Sequence, residues 1–347
     1  MAHRARPLET VIAESLAEWA EPFVELAVFG SKEPAVIAGA IERFCAIHLG
    51  ADPVSGLFWN ASVGVAAGLV LDDDRVVVVK AHQPEVDRDH LAAIAEVRES
   101  LFRAGYPTPA MLAGPQTLAR GAATVEAYAD PGPTADGLDK DTRDLLARGL
   151  HGLMRMATRA AAGVALGAPK MAAPSDLTRW PTPHSQLFDF EHTAEGAETI
   201  DEIADVARDR LQQESIERVV AHLDWRVEHV RIRAGAIRAV FDWDSLHRVS
   251  EAHAVGVAAA HFAANWEAGY SGRRYPTPEE SDAFVAAYVS ARGRPFDDDE
   301  RRQIGAHRTY GIAYAARCGH DPAAPPIPGA AEEMLLRFGE RYLVVRG

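Results

Sequence analysis

Apolar residues recur at helical spacing from the start of the chain. Leu8, Val11, Ile12, Leu16 and Trp19 form one stripe, and Val36, Ile37, Ile41 and Phe44 form another within Ala35–His48. Gly50 and Pro53 end that second helix. The pattern then changes. Gly56–Leu71 is rich in Gly, Val and aromatic residues, Asp72–Asp74 reads as a turn, and Arg75–Lys80 carries four consecutive valines. Valine is stiff about χ1 and favours extended backbone, and an unbroken apolar run predicts a strand buried on both faces. Helical spacing returns over Asp87–Ala104, with Leu91, Ile94, Val97 and Leu101 on one stripe. Gly105 caps this helix, and Pro107 and Pro109 forbid its continuation. Met111–Leu118 and Ala122–Ala129 are two more strand candidates. The turn cluster 130–133 (Asp-Pro-Gly-Pro) closes the β-rich part.

Beyond it the pattern is mostly helical: Asp141–Arg159, Thr199–Leu211, Ser250–Ala268, Pro278–Ala291, Asp298–Arg317 and Ala330–Leu343. Ala160–Pro183, rich in Ala, Gly and Pro, reads as a long loop. One β interruption stands inside the helical part, where His229–Arg233, then Ala234-Gly235, then Ala236–Asp242 read as a hairpin. The expectation is an α+β chain of two lobes: a small β-rich N-terminal one, residues 1–130, and a larger helical one, residues 131–347, carrying the hairpin.

Composition narrows the functional classes. Lys and Arg number 36 against 50 Asp and Glu, a formal net charge of −14. Nucleic-acid binding runs on clustered cations, so this balance argues against it and is compatible with a cationic small-molecule ligand. Cys45 and Cys318 form no metal-ligand pair and no disulfide framework, which suits a reducing cytoplasm. The basic start lacks an apolar stretch after it, and no apolar run approaches the ~20 residues of a membrane span.

The candidate chemistry sits around the hairpin. His222-Leu-Asp-Trp-Arg-Val-Glu-His229 precedes it and Phe241-Asp-Trp-Asp244 ends it, so Asp242 follows Asp224 by 18 positions. Two carboxylates separated by a hairpin suit phosphoryl transfer: one can orient a hydroxyl and accept its proton, and the other can hold Mg²⁺ on nucleotide phosphates. Asp244 reads more simply as a helix cap. Trp225, Trp243 and Trp266 read as packing residues near the site, with a stacking wall for a ligand as the alternative.

These residues resemble a known superfamily. The order His-x-Asp, a hairpin, and then Phe-Asp-Trp is similar to the aminoglycoside phosphotransferase and choline kinase branch of the protein-kinase-like fold, whose pattern is His-Gly-Asp-x-x-x-x-Asn followed by Ile-Asp-Trp. Lys80 falls where that branch has the lysine of its third strand, and Ala104-Gly-Tyr-Pro-Thr-Pro-Ala-Met-Leu112 resembles its helix-end text. The likeness runs in order from Gly56 to Asn265. It implies a two-lobed kinase-like fold, ATP and Mg²⁺ as cofactors, and a hydroxyl of a small molecule as acceptor. Asp224 and Arg226 would be catalytic, Asp242 and His229 would hold the metal, Lys80 and Ser62 of the loop Asn60–Gly64 would serve the nucleotide, and Glu96 (or Glu99) of the following helix would pair with Lys80. Glu251, Glu267 and Asp282 would meet an amino-bearing acceptor. The family's Asn is His229 here, its Gly is Leu223, and the loop lacks a run of glycines. Imidazole is a poorer Mg²⁺ ligand than an amide oxygen. These departures motivate a second reading, a kinase-fold protein that has lost transfer and sequesters a drug or metabolite.

Overall fold

The computed structural model describes residues 6–129, 132–167, 169, 178–211, 218–267 and 269–346. The chain divides into two compact units, Met1–Asp130 and Pro131–Gly347.

The first unit begins with three helices, α1 (Leu8–Leu16), α2 (Phe23–Phe29) and α3 (Pro34–Leu49). Strands β1 (Pro53–Ala61), β2 (Val65–Leu71) and β3 (Val76–His82) follow, then α4 (Arg88–Arg103), β4 (Met111–Leu118) and β5 (Gly121–Ala127). The sheet is antiparallel throughout, in the order β1-β2-β3-β5-β4. Val77, Val79 and Ala81 of β3 join Ile12, Val28, Ile41 and Phe44 of the three helices in one core. Val76, Val78 and Lys80, on the other face, are only half-buried. The valine run is therefore one-sided, and alternation governs it despite its unbroken apolar sequence.

That second face is the one α4 meets. Glu126 lies opposite Val78, and Thr124 opposite Lys80, so all four share a face. Arg98 of α4 reaches Glu126, Nη2 to Oε2 at 2.6 Å, and the two side chains are 5% and 8% exposed. The buried positions of α4 are Leu91, Ala93, Ile94, Val97, Arg98 and Leu101. Position 96 lies on the opposite side of a 3.6-residue helix. The expectation that Glu96 turns inward to Lys80 is thus corrected: Glu96 is exposed, and Glu99 bonds Arg103 at the surface. An ion pair that does join helix to sheet has its arginine on the helix and its carboxylate on β5. Ser62 is exposed in the β1–β2 turn, its N–H donating to the Gly64 carbonyl at 2.9 Å. Gly64 crosses β3 so closely that a Cβ would lie 2.5 Å from the Ala81 carbonyl oxygen.

The second unit contains α5 (Lys140–Ala160), α6 (Glu198–Asp209), β6 (Val219–His222), β7 (Val230–Arg233), β8 (Ala236–Val240), β9 (Leu246–Val249), α7 (Glu251–His261), α8 (Pro278–Arg292), α9 (Asp298–Gly319) and α10 (Ala331–Phe338). β7 and β8 form the expected hairpin, with Ala234 and Gly235 both at positive φ, as a two-residue hairpin turn requires. β6 and β9 pair antiparallel. At four residues each they are too short to leave a periodic signal, as is most of α2. α7 stops at His261 rather than running to Ala268, because the chain turns away there and the Phe262 carbonyl accepts the N–H of Val227 at 2.8 Å. α10 stops at Phe338, where Gly339 takes φ 49°, and a 3-10 turn covers Gly339–Leu343. The expected loop Ala160–Pro183 lies partly outside the described residues.

α7 packs closely on α9: a Cβ on Gly256 would lie 2.6 Å from the Ile304 carbonyl oxygen. The rings of His253 and His307 stack there with centroids 4.0 Å apart. Burial, aided by His253, holds His307 well below the usual imidazole range. Among the described residues, no helix is long and apolar enough to cross a membrane.

Two outcomes follow for stability. Removing one partner of a buried ion pair strands a charge, so Arg98→Leu should lower unfolding free energy by ~3 kcal/mol in urea titration, and Arg98→Leu with Glu126→Leu should restore most of it. His307 is neutral when folded and takes a proton near pH 6.5 when unfolded, so stability falls as pH drops below 6.5. His307→Phe should flatten that slope in melting curves between pH 7 and pH 5.

Candidate active site

Asp224 occupies the segment between β6 and a 3-10 turn, Val227–His229, that leads into the hairpin. Its backbone is fixed by a buried relay. His222, 1% exposed, donates from Nε2 to the Phe241 carbonyl at 2.9 Å. A carbonyl can only accept, so Nδ1 carries no proton and accepts from the Ser245 hydroxyl at 3.1 Å. Ser245 Oγ in turn accepts the N–H of Asp224 at 3.1 Å. Burial, with the neighbouring His229, pushes the His222 imidazole down to about 4, which keeps it in the neutral form the relay needs. One side chain thereby ties the residue before Asp242 to the residue that presents Asp224.

Two tryptophans wedge the same segments. Trp225 Nε1 donates to the Leu146 carbonyl of α5, and Trp243 Nε1 to the Val240 carbonyl, each at 2.9 Å. Both are 1% exposed, so they are core residues. Trp266 is exposed, with the Arg274 guanidinium 4.6 Å over its ring.

The chemistry-bearing side chains converge around His229. Its Nδ1 faces the Asp224 carbonyl at 2.9 Å and its Nε2 faces Arg226 Nη2 at 3.1 Å. The first contact demands a donor and the second an acceptor, so the proton sits on Nδ1. The carboxylates flank the ring, Asp224 Oδ2 at 3.5 Å from Nδ1 and Asp242 Oδ2 at 3.5 Å from Nε2. Asp224, His229 and Asp242 each offer a ligand atom, and these atoms lie within 4.8 Å of one another. Arg226 Nε is 3.4 Å from Asp224 and 3.2 Å from Glu228. Burial works against the Asp224 charge, but Arg226 and His229 outweigh it and hold the carboxyl below its usual range. Burial likewise opposes the Arg226 charge, and Asp224, Glu228 and Asp242 overcome it. Asp242 has φ 58° and ψ 54°, a left-handed conformation that Asp tolerates better than most residues. Its carboxylate is aimed by strained backbone at the turn into Trp243.

Of the residues singled out from the sequence, Asp224, Arg226, His229 and Asp242 are brought together. Lys80, Glu96 and Ser62 belong to the other unit. Asp244 is no cap: it lies inside the 3-10 turn Trp243–Ser245, whose cap position is Asp242. The three acids expected to meet an amino-bearing acceptor are held by arginines instead. Glu251 is bonded to Arg292 at 2.8 Å, Glu267 to Arg231 at 2.8 Å, and Asp282 to Arg308 at 2.8 Å. Sequence reasoning missed Ser245 and Glu228, which carry no motif, and His184, His261 and Tyr275, which come from three separate segments. Each of these three feels the charges of Asp224 and Arg226.

No family model matches the chain, and no curated protein matches it. Solved structures do. A spectinomycin phosphotransferase in complex with ADP and spectinomycin superposes with a TM-score of 0.56 at 11% identity, over 88% of this chain and 98% of that one. An amicoumacin kinase in complex with AMP-PNP and Ca²⁺ superposes with a TM-score of 0.56 at 13% identity, over 95% of each chain. The chain therefore has the α+β protein-kinase-like fold of the small-molecule phosphotransferases.

Ser245→Ala would leave the Asp224 N–H and His222 Nδ1 without their shared partner. Unsatisfied buried polar groups cost about 1–3 kcal/mol, so the variant should lose that much stability in a denaturant titration.

Proposed function

We propose that this chain is an ATP-dependent phosphotransferase acting on a hydroxyl of a small molecule. The observation that carries the reading is the cluster of Asp224, His229 and Asp242, with ligand atoms mutually within 4.8 Å and Arg226 beside it. The superposed enzymes, a phosphotransferase with ADP and a kinase with AMP-PNP, support it as well.

Asp224 would accept the hydrogen bond of the acceptor hydroxyl and take its proton. A carboxyl held below its usual range is a weak base, so its work is mainly to orient the oxygen. Arg226 would stabilise charge on the transferred group. The donor set fits a divalent cation: Asp242 supplies carboxylate oxygen, and His229 Nε2 has its lone pair outward, at present facing Arg226. Asp242 and His229 would hold Mg²⁺, which when bound would offset phosphate charge. Lys80, on β3 of the first unit, would contact the α/β-phosphates, and Ser62 of the β1–β2 turn the nucleotide. Neither Glu96 nor Glu99 enters this reading.

A second reading, a binding protein that sequesters a drug or metabolite, is favoured by one observation: His229 stands in place of the family's Asn and is tied up by Arg226 and a backbone carbonyl. Titrating AMP-PNP by calorimetry with and without Mg²⁺ separates the two. Nucleotide binding that needs Mg²⁺ and is lost in Asp242→Asn supports transfer, and no binding in either condition rejects it.

Asp224→Asn should lower turnover by ~10²-fold or more with AMP-PNP affinity nearly unchanged. His229→Asn restores an oxygen ligand, so the ratio of nucleotide affinity in Mg²⁺ to that in Mn²⁺ should rise; calorimetry in the two metals reads it.

A further inference from the structure

A cavity of about 250 Å³ opens within the second unit where α5, the first residue of β6, the first residue of α7 and α8 meet. From α5 it takes His151, Arg155, Thr158 and Arg159, which recur one turn apart on one face of the helix. Met154, Val219 and the Tyr288 ring form its apolar part. Met154 is 2% exposed and Tyr288 fully buried, so this part belongs to the rigid core of the unit.

The charge here is opposite in sign to that of the whole chain. Arg155 and Arg159 are exposed, and among the described residues neither is bonded to a carboxylate. Glu251, the acid in the lining, is already satisfied: it accepts the Tyr288 hydroxyl at 2.7 Å and pairs with Arg292 at 2.8 Å. Arg292 in turn meets Glu300 at 2.7 Å. Two guanidiniums therefore stand uncompensated at one cavity in a chain of net charge −14. Neutral donors stand beside them. Thr158 Oγ1 accepts the Val220 N–H at 2.9 Å, which leaves its own hydrogen to donate. The His151 ring, edge-on to Tyr288 with centroids 5.6 Å apart, has no hydrogen bond among the described residues.

The cavity is not the Asp224 site. Val219, at the start of β6, lines it, whereas His222, at the end of the strand, holds the relay to Asp224. A strand rises ~3.3 Å per residue, so these two positions lie ~10 Å apart. Guanidinium forks match the oxygens of carboxylates and phosphates. An apolar cavity of ~150 Å³ accepts a benzene ring, so the larger volume here has room for one ring and a head group.

We propose that this cavity is a second ligand site, for a small organic anion. Arg155, Arg159 and the Thr158 hydroxyl would hold an oxyanion head, a carboxylate or a phosphomonoester, while a body the size of one ring packs on Met154, Val219 and Tyr288. The site uses none of the residues assigned to phosphoryl transfer.

Calorimetry on the full chain at low ionic strength tests this with four probes: benzoate, phenyl phosphate, neutral benzamide and inorganic phosphate. Benzoate or phenyl phosphate should bind ~10-fold or more tightly than benzamide, which lacks the charge, and than inorganic phosphate, which has no ring to bury. Whichever of the two binds more tightly identifies the head group. Arg155→Gln with Arg159→Gln should weaken that probe ~10-fold or more, and Lys at both positions, a point charge without the fork, should recover part of the loss. Both arginines are exposed, so the double variant should melt with the parent chain. Arg148→Gln, exposed on α5 but outside the cavity, should leave binding unchanged. Benzamide binding as tightly as the anions, or inorganic phosphate as tightly as phenyl phosphate, overturns the proposal. So does an equal loss in Arg148→Gln, binding indifferent to Arg155 and Arg159, or no binding of either aryl anion at millimolar concentration.

Discussion

The neutral imidazole of His222 is the constraint on which the candidate site depends. It accepts one hydrogen bond and donates another, so it fastens the Phe241 carbonyl on one side and, through Ser245, the Asp224 N–H on the other. A second proton would turn Nδ1 from acceptor to donor and break the chain at Ser245. Burial prevents that protonation. The spacing of the two carboxylates is therefore set by desolvation of a third residue that touches neither. The left-handed backbone at Asp242 is tolerable for the same reason, because the surrounding bonds over-determine it.

On this frame sits a dense group of charges. Asp224, Arg226, Glu228 and Asp242 are packed around one imidazole, and burial opposes the charged form of both Asp224 and Arg226. Each favours the charged form of the other, so changes at any member are expected to be non-additive. His229 is the pivot: its tautomer is dictated by a backbone carbonyl, which leaves its other nitrogen as the sole point of contact for arginine or metal.

Much of this was legible in the sequence. Spacing alone marked Asp224, Asp242 and the hairpin, because a two-residue turn leaves a compact local signature, and it marked the long helices, whose stripes repeat over several turns. What it hid depends on pairing across distance. β6 and β9 hold the relay together, yet four residues carry no period, and Ser245 has no motif to announce it. The valine run pointed to burial on both faces, when the opposite face is only half-covered. Glu96 was placed inward by analogy, while the stripe of Leu91, Ile94, Val97 and Leu101 already puts position 96 on the far side. His261 and Tyr275, from separate segments, meet only through the tertiary fold.

Net charge does not tell how the acids of a chain are used. A net charge of −14 suggests free carboxylates, but Glu251, Glu267 and Asp282 are each paired with an arginine. Arg308 is fully buried and donates to Asp282 and to the carbonyls of Tyr342 and Val344, fastening the C-terminal segment to α9. Arg292 bridges Glu251 and Glu300 while lying 4.0 Å over the Phe296 ring. Removing Asp282 would strand the buried guanidinium of Arg308, so that acid is structural by energetic necessity.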